Sequence, residues 1–338
     1  MKSCLIIACD NGFGHTRRAL LLANKLAKNN WDVHLYAPPV AARKLSKLFG
    51  MEKRVHFEAF FTQTNAESYR NGNLCNWIKD LPELDRFDIV VSDNLPEILT
   101  YRPDAILTGS FFWHRAIKNV DDSLYESVES LLKKHKPMMI ASELFVNSEL
   151  NKLTNLKTVG LCVPDTKKYD TRKGKDLLIA CGKGGEFESE FKSLIQDILN
   201  QKQKPPFHTV WVDPQIIPDD LPCWLKPATF NEKMYSSLIA SICRPGVGTL
   251  TDSLWNEVKV FCSFEQNNEE MLQNSKKIKN KQLGDFFRDP KKAYEAACAY
   301  SCDFTEQGKF YQSLKRISFS GIEETVQQIE KVNSLLKN

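Results

Sequence analysis

The chain opens on Ser3-Cys4-Leu5-Ile6-Ile7-Ala8-Cys9, turns through Asp10-Asn11-Gly12-Phe13-Gly14-His15, and continues as Thr16-Arg17-Arg18-Ala19-Leu20-Leu21-Leu22-Ala23. A short, unbroken apolar run marks a strand buried on both faces. Leu20, Ala23, Leu26 and Ala27 then fall at helical spacing over 16–29. Strand, glycine turn and helix together make the first half of a βα unit. Working outward, the rhythm repeats: strands over 33–36, 55–60, 89–92, 105–108 and 138–141, with helices over 40–48 and 124–134. Residues 61–85 read as loop and short helix. Continuous rather than alternating apolar strands, interleaved with helices, predict a parallel sheet covered on both faces.

A polar stretch at 164–175 interrupts the rhythm and reads as a linker. The pattern restarts with strands over 177–181, 209–212, 238–243 and 260–263. Helices follow over 187–199, 249–256, 269–279 and, last, 322–336. The expected organisation is α/β: a Rossmann-like domain over 1–163, a linker over 164–175, and a second Rossmann-like domain over 176–320. The final helix, 321–338, is expected to pack back on the first domain. Two such halves predict a cleft, and ligands of these sheets bind beyond the carboxyl ends of the strands.

The bulk numbers agree. A chain of 338 residues suits two domains, and 42% hydrophobic with 26% charged residues is a globular composition. A net charge of +4, with no dense basic stripe beside stacking aromatics, argues against nucleic acid as a partner. Arg43, Lys44, Lys47, Lys53 and Arg54 cluster loosely. They read first as a solvated face and second as contact with an anionic substrate or a membrane surface. The opening apolar run lacks a signal-peptide cleavage site, and no stretch approaches the roughly 18 apolar residues of a spanning helix. Ten scattered cysteines, several inside apolar runs, are used as in a cytoplasmic protein. Cys298 and Cys302 have no second His or Cys pair near them, so no zinc site is expected. The location expected is the cytoplasm, with contact at the inner membrane face as the alternative.

Three strand–turn–helix junctions carry the candidate chemistry. In the first, Gly12 and Gly14 allow a tight turn, and the helix start offers free N–H groups to an anion or a sugar hydroxyl. Arg17 stands where a dinucleotide fingerprint needs its third glycine. His15 at the helix start feels the positive end of the dipole, which favours the neutral imidazole that a general base needs. Alternatively it is a turn residue making a local cap. The second junction, Cys181-Gly182-Lys183-Gly184-Gly185-Glu186, reads as a diphosphate cradle or a plain turn. It lacks the Gly-Lys-Ser/Thr ending of a Walker loop. The third, Cys243-Arg244-Pro245-Gly246-Val247-Gly248-Thr249-Leu250-Thr251-Asp252, puts Gly248 and Thr249 at a helix start. Asp252 lies one turn on, where a carboxylate meets ribose hydroxyls or caps the helix. Ser92-Asp93 ends another strand and ranks low as a site. Phe111-Phe112-Trp113-His114 reads as core packing, with stacking on a sugar ring as the alternative.

Together the three junctions resemble the GT-B glycosyltransferases, in particular the branch containing MurG and the nucleotide-sugar hydrolase PseG. The pattern Gly-x-Gly-His-x-x-Arg appears as Gly12, Gly14, His15 and Arg18, followed by an Ala/Leu helix. The pattern Arg-x-Gly-x-x-Thr-x-x-acid appears as Arg244, Gly246, Thr249 and Asp252. The resemblance implies a GT-B fold of two Rossmann-like domains. It implies a nucleotide-diphosphate sugar, most simply a UDP-sugar, held mainly by the second domain. Gly182, Lys183, Gly184, Gly246, Gly248 and Thr249 would face the diphosphate, Asp252 the ribose and the backbone at Phe230 the base. His15 would lie near the reacting carbon, with Arg18 shaping its pocket. The sequence departs from that pattern in two places. Asp252 is shorter than the usual Glu, and Met271 stands where a sugar-gripping glutamine aligns, with Asn274 as the register mark. Gln266 and Glu270 are the compensating candidates.

The leading expectation is an inverting transferase without metal or cofactor, in keeping with the absence of Asp-x-Asp. A glycan, lipid-linked or small-molecule acceptor would be deprotonated by His15. The alternatives are a PseG-like hydrolase, with water in the acceptor's place, and a catalytically silent GT-B binding protein.

Overall fold

The computed structural model describes residues 1–63, 66–72, 76–165, 174–182, 187–201, 204–265 and 268–336. The chain divides into two compact units. Unit 1 comprises Met1–Pro164 with Ser318–Asn338, and unit 2 comprises Asp165–Ile317. Most of the linker expected at 164–175, residues 166–173, lies outside the described residues.

Unit 1 is built on strands β1 (Ser3–Ala8), β2 (Asp32–Ala37), β3 (Val55–Ala59), β4 (Ile89–Asp93), β5 (Ile106–Thr108), β6 (Met138–Ser142) and β7 (Asn155–Val159). Its helices are α1 (Phe13–Lys28), α2 (Pro39–Phe49), the short α3 (Ala66–Arg70) and α4 (Trp113–Ala116), and α5 (Asp122–His135). All seven strands run parallel in the order β3-β2-β1-β4-β5-β6-β7. The order reverses between β1 and β4, which makes their carboxyl ends the topological switch point. β1 and β4 are buried almost throughout because helices cover both faces of the sheet.

Helix α1 begins at Gly12, whose φ of 92° and ψ of 173° suit glycine and almost nothing else. Lys25 and Lys28 in its last turn complement the dipole. Its Leu20, Ala23 and Leu26 are fully buried in the core, each large apolar side chain contributing about 1.5–3 kcal/mol. The C-terminal helix, Gly321–Leu336, lies on α1 and adds Ile322, Val326 and Ile329 to that same core. Lys25 Nζ meets Glu323 Oε1 at 2.9 Å, and Glu324 Oε2 accepts from the Gly160 N–H at 2.7 Å. A Cβ at Gly321 would fall 2.2 Å from the Gly160 carbonyl oxygen, so the helix enters unit 1 only as glycine.

Unit 2 repeats the plan with β8 (Asp176–Ala180), β9 (Val210–Val212), β10 (Leu225–Pro227), β11 (Leu238–Cys243), β12 (Lys259–Ser263) and β13 (Gly284–Phe287). They form a second all-parallel sheet in the order β10-β9-β8-β11-β12-β13, with its switch between β8 and β11. Its helices are α6 (Glu188–Asn200), the short α7 (Glu232–Tyr235), α8 (Val247–Trp255), α9 (Glu269–Asn280), α10 (Pro290–Ser301) and α11 (Phe304–Leu314). Two parallel-sheet, Rossmann-like units are therefore present.

The elements absent from the sequence reading are β7, β10, β13, α10, α11 and the single-turn α4 and α7. The three strands are sheet edges, so each has only part of its residues buried and lacks the unbroken apolar run of a central strand. Helices α10 and α11 are announced by caps instead. Asp289 accepts from the Lys291 N–H with Pro290 at the first position, and Asp303 accepts from the Thr305 and Glu306 N–H groups. No helix among the described residues is long and apolar enough to cross a membrane.

Candidate functional site

Both switch points carry the predicted junctions. In unit 1, β1 delivers the chain to the Gly12 turn and α1 brings His15 and Arg18 round on its first turns. Ala8 and Asp93 are register partners in β1 and β4, so the last residue of β4 stands beside that turn. The result is a three-residue ionic cluster. His15 Nδ1 lies 2.6 Å from Asp93 Oδ1. Arg18 grips the same carboxylate with a fork, Nε donating to Oδ2 at 2.8 Å and a terminal nitrogen to Oδ1 at 2.7 Å.

Asp93 is 1% exposed. Burial presses its carboxyl toward the protonated form, but the Arg18 guanidinium and the His15 imidazole outweigh that and hold it below the ordinary carboxylate range. It is therefore an anion that can only accept. His15 therefore presents Nδ1–H to it, and in the neutral imidazole the lone pair is then on Nε2. With 13% of its side chain exposed, His15 remains reachable. A carboxylate fixing the tautomer of a reachable imidazole is the arrangement that makes histidine a proton acceptor and steadies the imidazolium that results.

Asp93 is the residue that sequence reasoning ranked too low. It is 78 positions from His15, and only the β1–β4 switch brings the two together. The signal was its place at the carboxyl end of the strand next to β1.

Around the cluster, Asp10 ties the glycine turn to the loop after β3. It accepts from Thr62 Oγ1 at 2.8 Å and from the Gln63 N–H at 2.9 Å. Gly14 lies exposed in the first turn of α1. The aromatic run divides. Phe112 and His114 are buried, whereas Phe111 and Trp113 are half-buried. The Trp113 ring stands 5.9 Å from the His15 ring. Asn94, held at φ 62° directly after Asp93, accepts from Trp113 Nε1 at 3.2 Å and donates to the Phe111 carbonyl, in the amide orientation that satisfies both. One loop therefore sets both the carboxylate and the aromatic wall beside the imidazole.

In unit 2, the loops after β8 and β11 share the second switch point. Gly182 takes φ 68°, and its carbonyl accepts from the Gln215 amide. Lys183 and Gly184 lie outside the described residues, as does Gln266. Helix α8 starts at Val247, two residues earlier than the sequence suggested, because Gly246 is its cap and offers no side chain. No side-chain hydrogen bond closes that end, so the N–H groups of Val247, Gly248 and Thr249 have no capping oxygen from Gly246. Asp252 is half-buried one turn further on. The turn is braced from α9, where the buried Asn274 donates to the Pro245 carbonyl at 3.0 Å. Arg244 is paired with Glu265, donating through Nε to Oε2 at 3.1 Å. Burial would raise that carboxyl, but Arg244 brings it below its ordinary range. Asn268 caps α9 by accepting from the Met271 N–H, and Glu270 lies in the first turn of that helix. Phe230 sits at φ 52°, an unusual conformation for a bulky residue, immediately before the α7 cap Asn231.

No family model and no curated protein matches the chain. Solved structures do. The calicheamicin glycosyltransferase CalG4 superposes with a TM-score of 0.68 at 15% identity, over 100% of both chains. Arabidopsis thaliana UGT89C1 complexed with UDP-L-rhamnose gives 0.66 at 13% identity, over 97% of this chain and 98% of that one. The glycosyltransferase VinC in complex with dTDP gives 0.64 at 12%, over 98% and 99%. The chain has the GT-B fold. Its narrower likeness to MurG and PseG rests on sequence motifs alone. Within this GT-B chain, each Rossmann-like unit carries one cluster of candidate residues at its own switch point.

Proposed function

We propose that the chain transfers a glycosyl group, with inversion, from a nucleoside-diphosphate sugar to a hydroxyl acceptor. The observation that carries the reading is the His15–Asp93–Arg18 cluster. His15 Nε2 takes the proton from the acceptor hydroxyl, and the acceptor oxygen attacks the anomeric carbon from the face opposite the diphosphate. The bond from that carbon to the diphosphate oxygen breaks, and the nucleoside diphosphate leaves with the electron pair. Asp93 steadies the imidazolium, so the base needs no metal to function.

Unit 2 would hold the donor. The N–H groups opening α8 suit the diphosphate, where negative charge grows as the bond breaks. Gly182 with Lys183 and Gly184 would complete that cradle. Asp252 suits the ribose hydroxyls, the strained backbone at Phe230 the base, and Glu270 with Gln266 the sugar. Arg244 would reach the diphosphate by exchanging Glu265 for it. UDP and dTDP appear in the structures of the GT-B neighbours, which supports a donor of this class and a UDP-sugar as the first to try. The UGT89C1 structure with quercetin supports a small hydroxylated acceptor.

The test is a panel of UDP- and dTDP-sugars, assayed with and without phenolic and sugar acceptors, with the anomeric configuration of product read by NMR. Acceptor-dependent release of nucleoside diphosphate with inversion is expected, and it should be lost in His15→Ala. Release at the same rate without acceptor would make the chain a hydrolase of the PseG kind. Nucleotide binding without turnover, unchanged by His15→Ala, would make it a silent binding protein.

A further inference from the structure

A second cluster of chemistry-bearing side chains lies on unit 1, away from the carboxyl ends of the strands. Strand β2 alternates, with Val33, Leu35 and Ala37 buried and Asp32, His34 and Tyr36 on the opposite face. His56 of the edge strand β3 is the register partner of His34. The two-residue period sets Asp32 beside His34, and the register sets His56 across from them. Two imidazoles and a carboxylate thus converge from neighbouring strands. His56 Nε2 lies 2.7 Å from Asp32 Oδ1, and His34 Nε2 lies 3.6 Å from Asp32 Oδ2. The two imidazole centroids are 4.8 Å apart, and Phe87 packs edge-on against His34 at 5.1 Å, which holds that ring in place.

Stability alone does not account for this grouping. Two protonatable rings directly opposite each other repel when both are charged. The His56–Asp32 pair is also too exposed, at 51% and 36%, to contribute much.

We propose that Asp32, His34 and His56 form a binding site for a borderline divalent cation of the zinc class, with water completing its coordination. Imidazole nitrogens and a carboxylate oxygen are the donor set such ions prefer. Ligand atoms held roughly 2.0–2.2 Å from one zinc ion at tetrahedral angles stand about 3.4 Å apart. The three donor atoms here all lie within 4.8 Å of one another, so small side-chain rotations bring them into range. Both histidines would bind through Nε2 and keep their proton on Nδ1. The nearby Arg86 cation acts against the dication and limits the affinity. Asp32 is the register partner of Ser3, at the start of β1, whereas Asp93 is the partner of Ala8 at the other end, where His15 meets it. The ion would therefore clamp the edge strand β3 to β2 and take no part in transfer.

The experiment uses the full chain after treatment with a chelator. Zinc is titrated by calorimetry and cobalt(II) by visible absorption. One equivalent of zinc should bind, the cobalt complex should show ligand-field bands, and the melting temperature should rise with zinc. His56→Gln, an exposed change, should keep the metal-free melting temperature. It should weaken zinc binding by at least roughly 100-fold, because losing a ligand costs more than losing an outer-sphere partner, whose removal already costs up to that much. Asp32→Asn should do likewise, and His135→Gln should change nothing. Wild-type binding no tighter than that of a His34→Gln/His56→Gln double variant would overturn the proposal, as would the absence of cobalt bands.

Discussion

Replacing Asp93 by Asn tests the proposed chemistry most directly. The side chain keeps its shape but loses the charge that Arg18 and His15 share. In the proposed reaction His15 becomes an imidazolium whose nitrogen lies 2.6 Å from Asp93 Oδ1, so the two charge centres stand about 4 Å apart. At an effective dielectric of about 20, that attraction is about 4 kcal/mol. The Arg18 cation remains in the variant and now faces the imidazolium without a carboxylate between them, which deepens the loss. Each 1.36 kcal/mol is about tenfold in rate, so kcat should fall by about a thousandfold. The donor KM should hold, because the proposed donor contacts are in unit 2 and the lost interaction exists only once the proton has moved. The assay is steady-state release of nucleoside diphosphate, run beside a thermal melt to show that the variant is folded. If folded Asp93→Asn enzyme keeps kcat within about threefold of wild type, the carboxylate does not steady an imidazolium and the assignment of His15 as base fails.

Other outcomes follow from single features. Glu97 is buried with Oε2 unpartnered, and its carboxyl is pushed up to about 7 by burial. The folded state holds that proton more tightly than the unfolded chain does. Its contribution is full below the ordinary glutamate pKa and is lost as pH rises to about 7, a span worth roughly 3 kcal/mol. Urea melts between pH 5 and 8 should show this slope in the wild type and a flatter one in Glu97→Gln; an unchanged slope would exclude Glu97 as its source. Gly12→Ala should cost about 1–3 kcal/mol in chemical denaturation, because φ 92° with ψ 173° is open only to glycine even though its Cβ would meet nothing within 4 Å. Phe230→Gly should relieve the left-handed backbone, leave the melting temperature equal or higher, and raise the donor KM. Asp252→Ala should raise the donor KM about tenfold, the worth of one buried hydrogen bond to a charged group, with kcat at saturation little changed.

The central strands were legible because burial on both faces leaves one unmistakable mark, an unbroken apolar run such as Leu5–Ala8 or Leu177–Ala180. The edge strand Asn155–Val159 leaves no such mark, since only Val159 of its five residues is fully buried. His15 and Arg18 were legible because a glycine turn and a helix start are local events. Asp93 was not, because its meaning arises from strand order: β4 follows β3 in sequence yet lies beside β1. The start of α8 was misplaced because Gly246, lacking a side chain, gives no capping signal. The cluster of Asp32, His34 and His56 stayed hidden for the same reason as Asp93, since it appears only once β3 is set in register against β2.

The C-terminal helix contributes Ile322, Val326 and Ile329 to a core whose other members lie between Cys4 and Val159. During vectorial synthesis that core stays unfinished while all of unit 2 is translated, on the order of ten seconds at roughly 5–20 residues per second. For that interval the part of α1 that meets the C-terminal helix has no cover. Unit 2 is thus, for the ribosome, an insertion that must be traversed before unit 1 can close, and a nascent chain stalled within it would display the exposed surface that chaperones recognise.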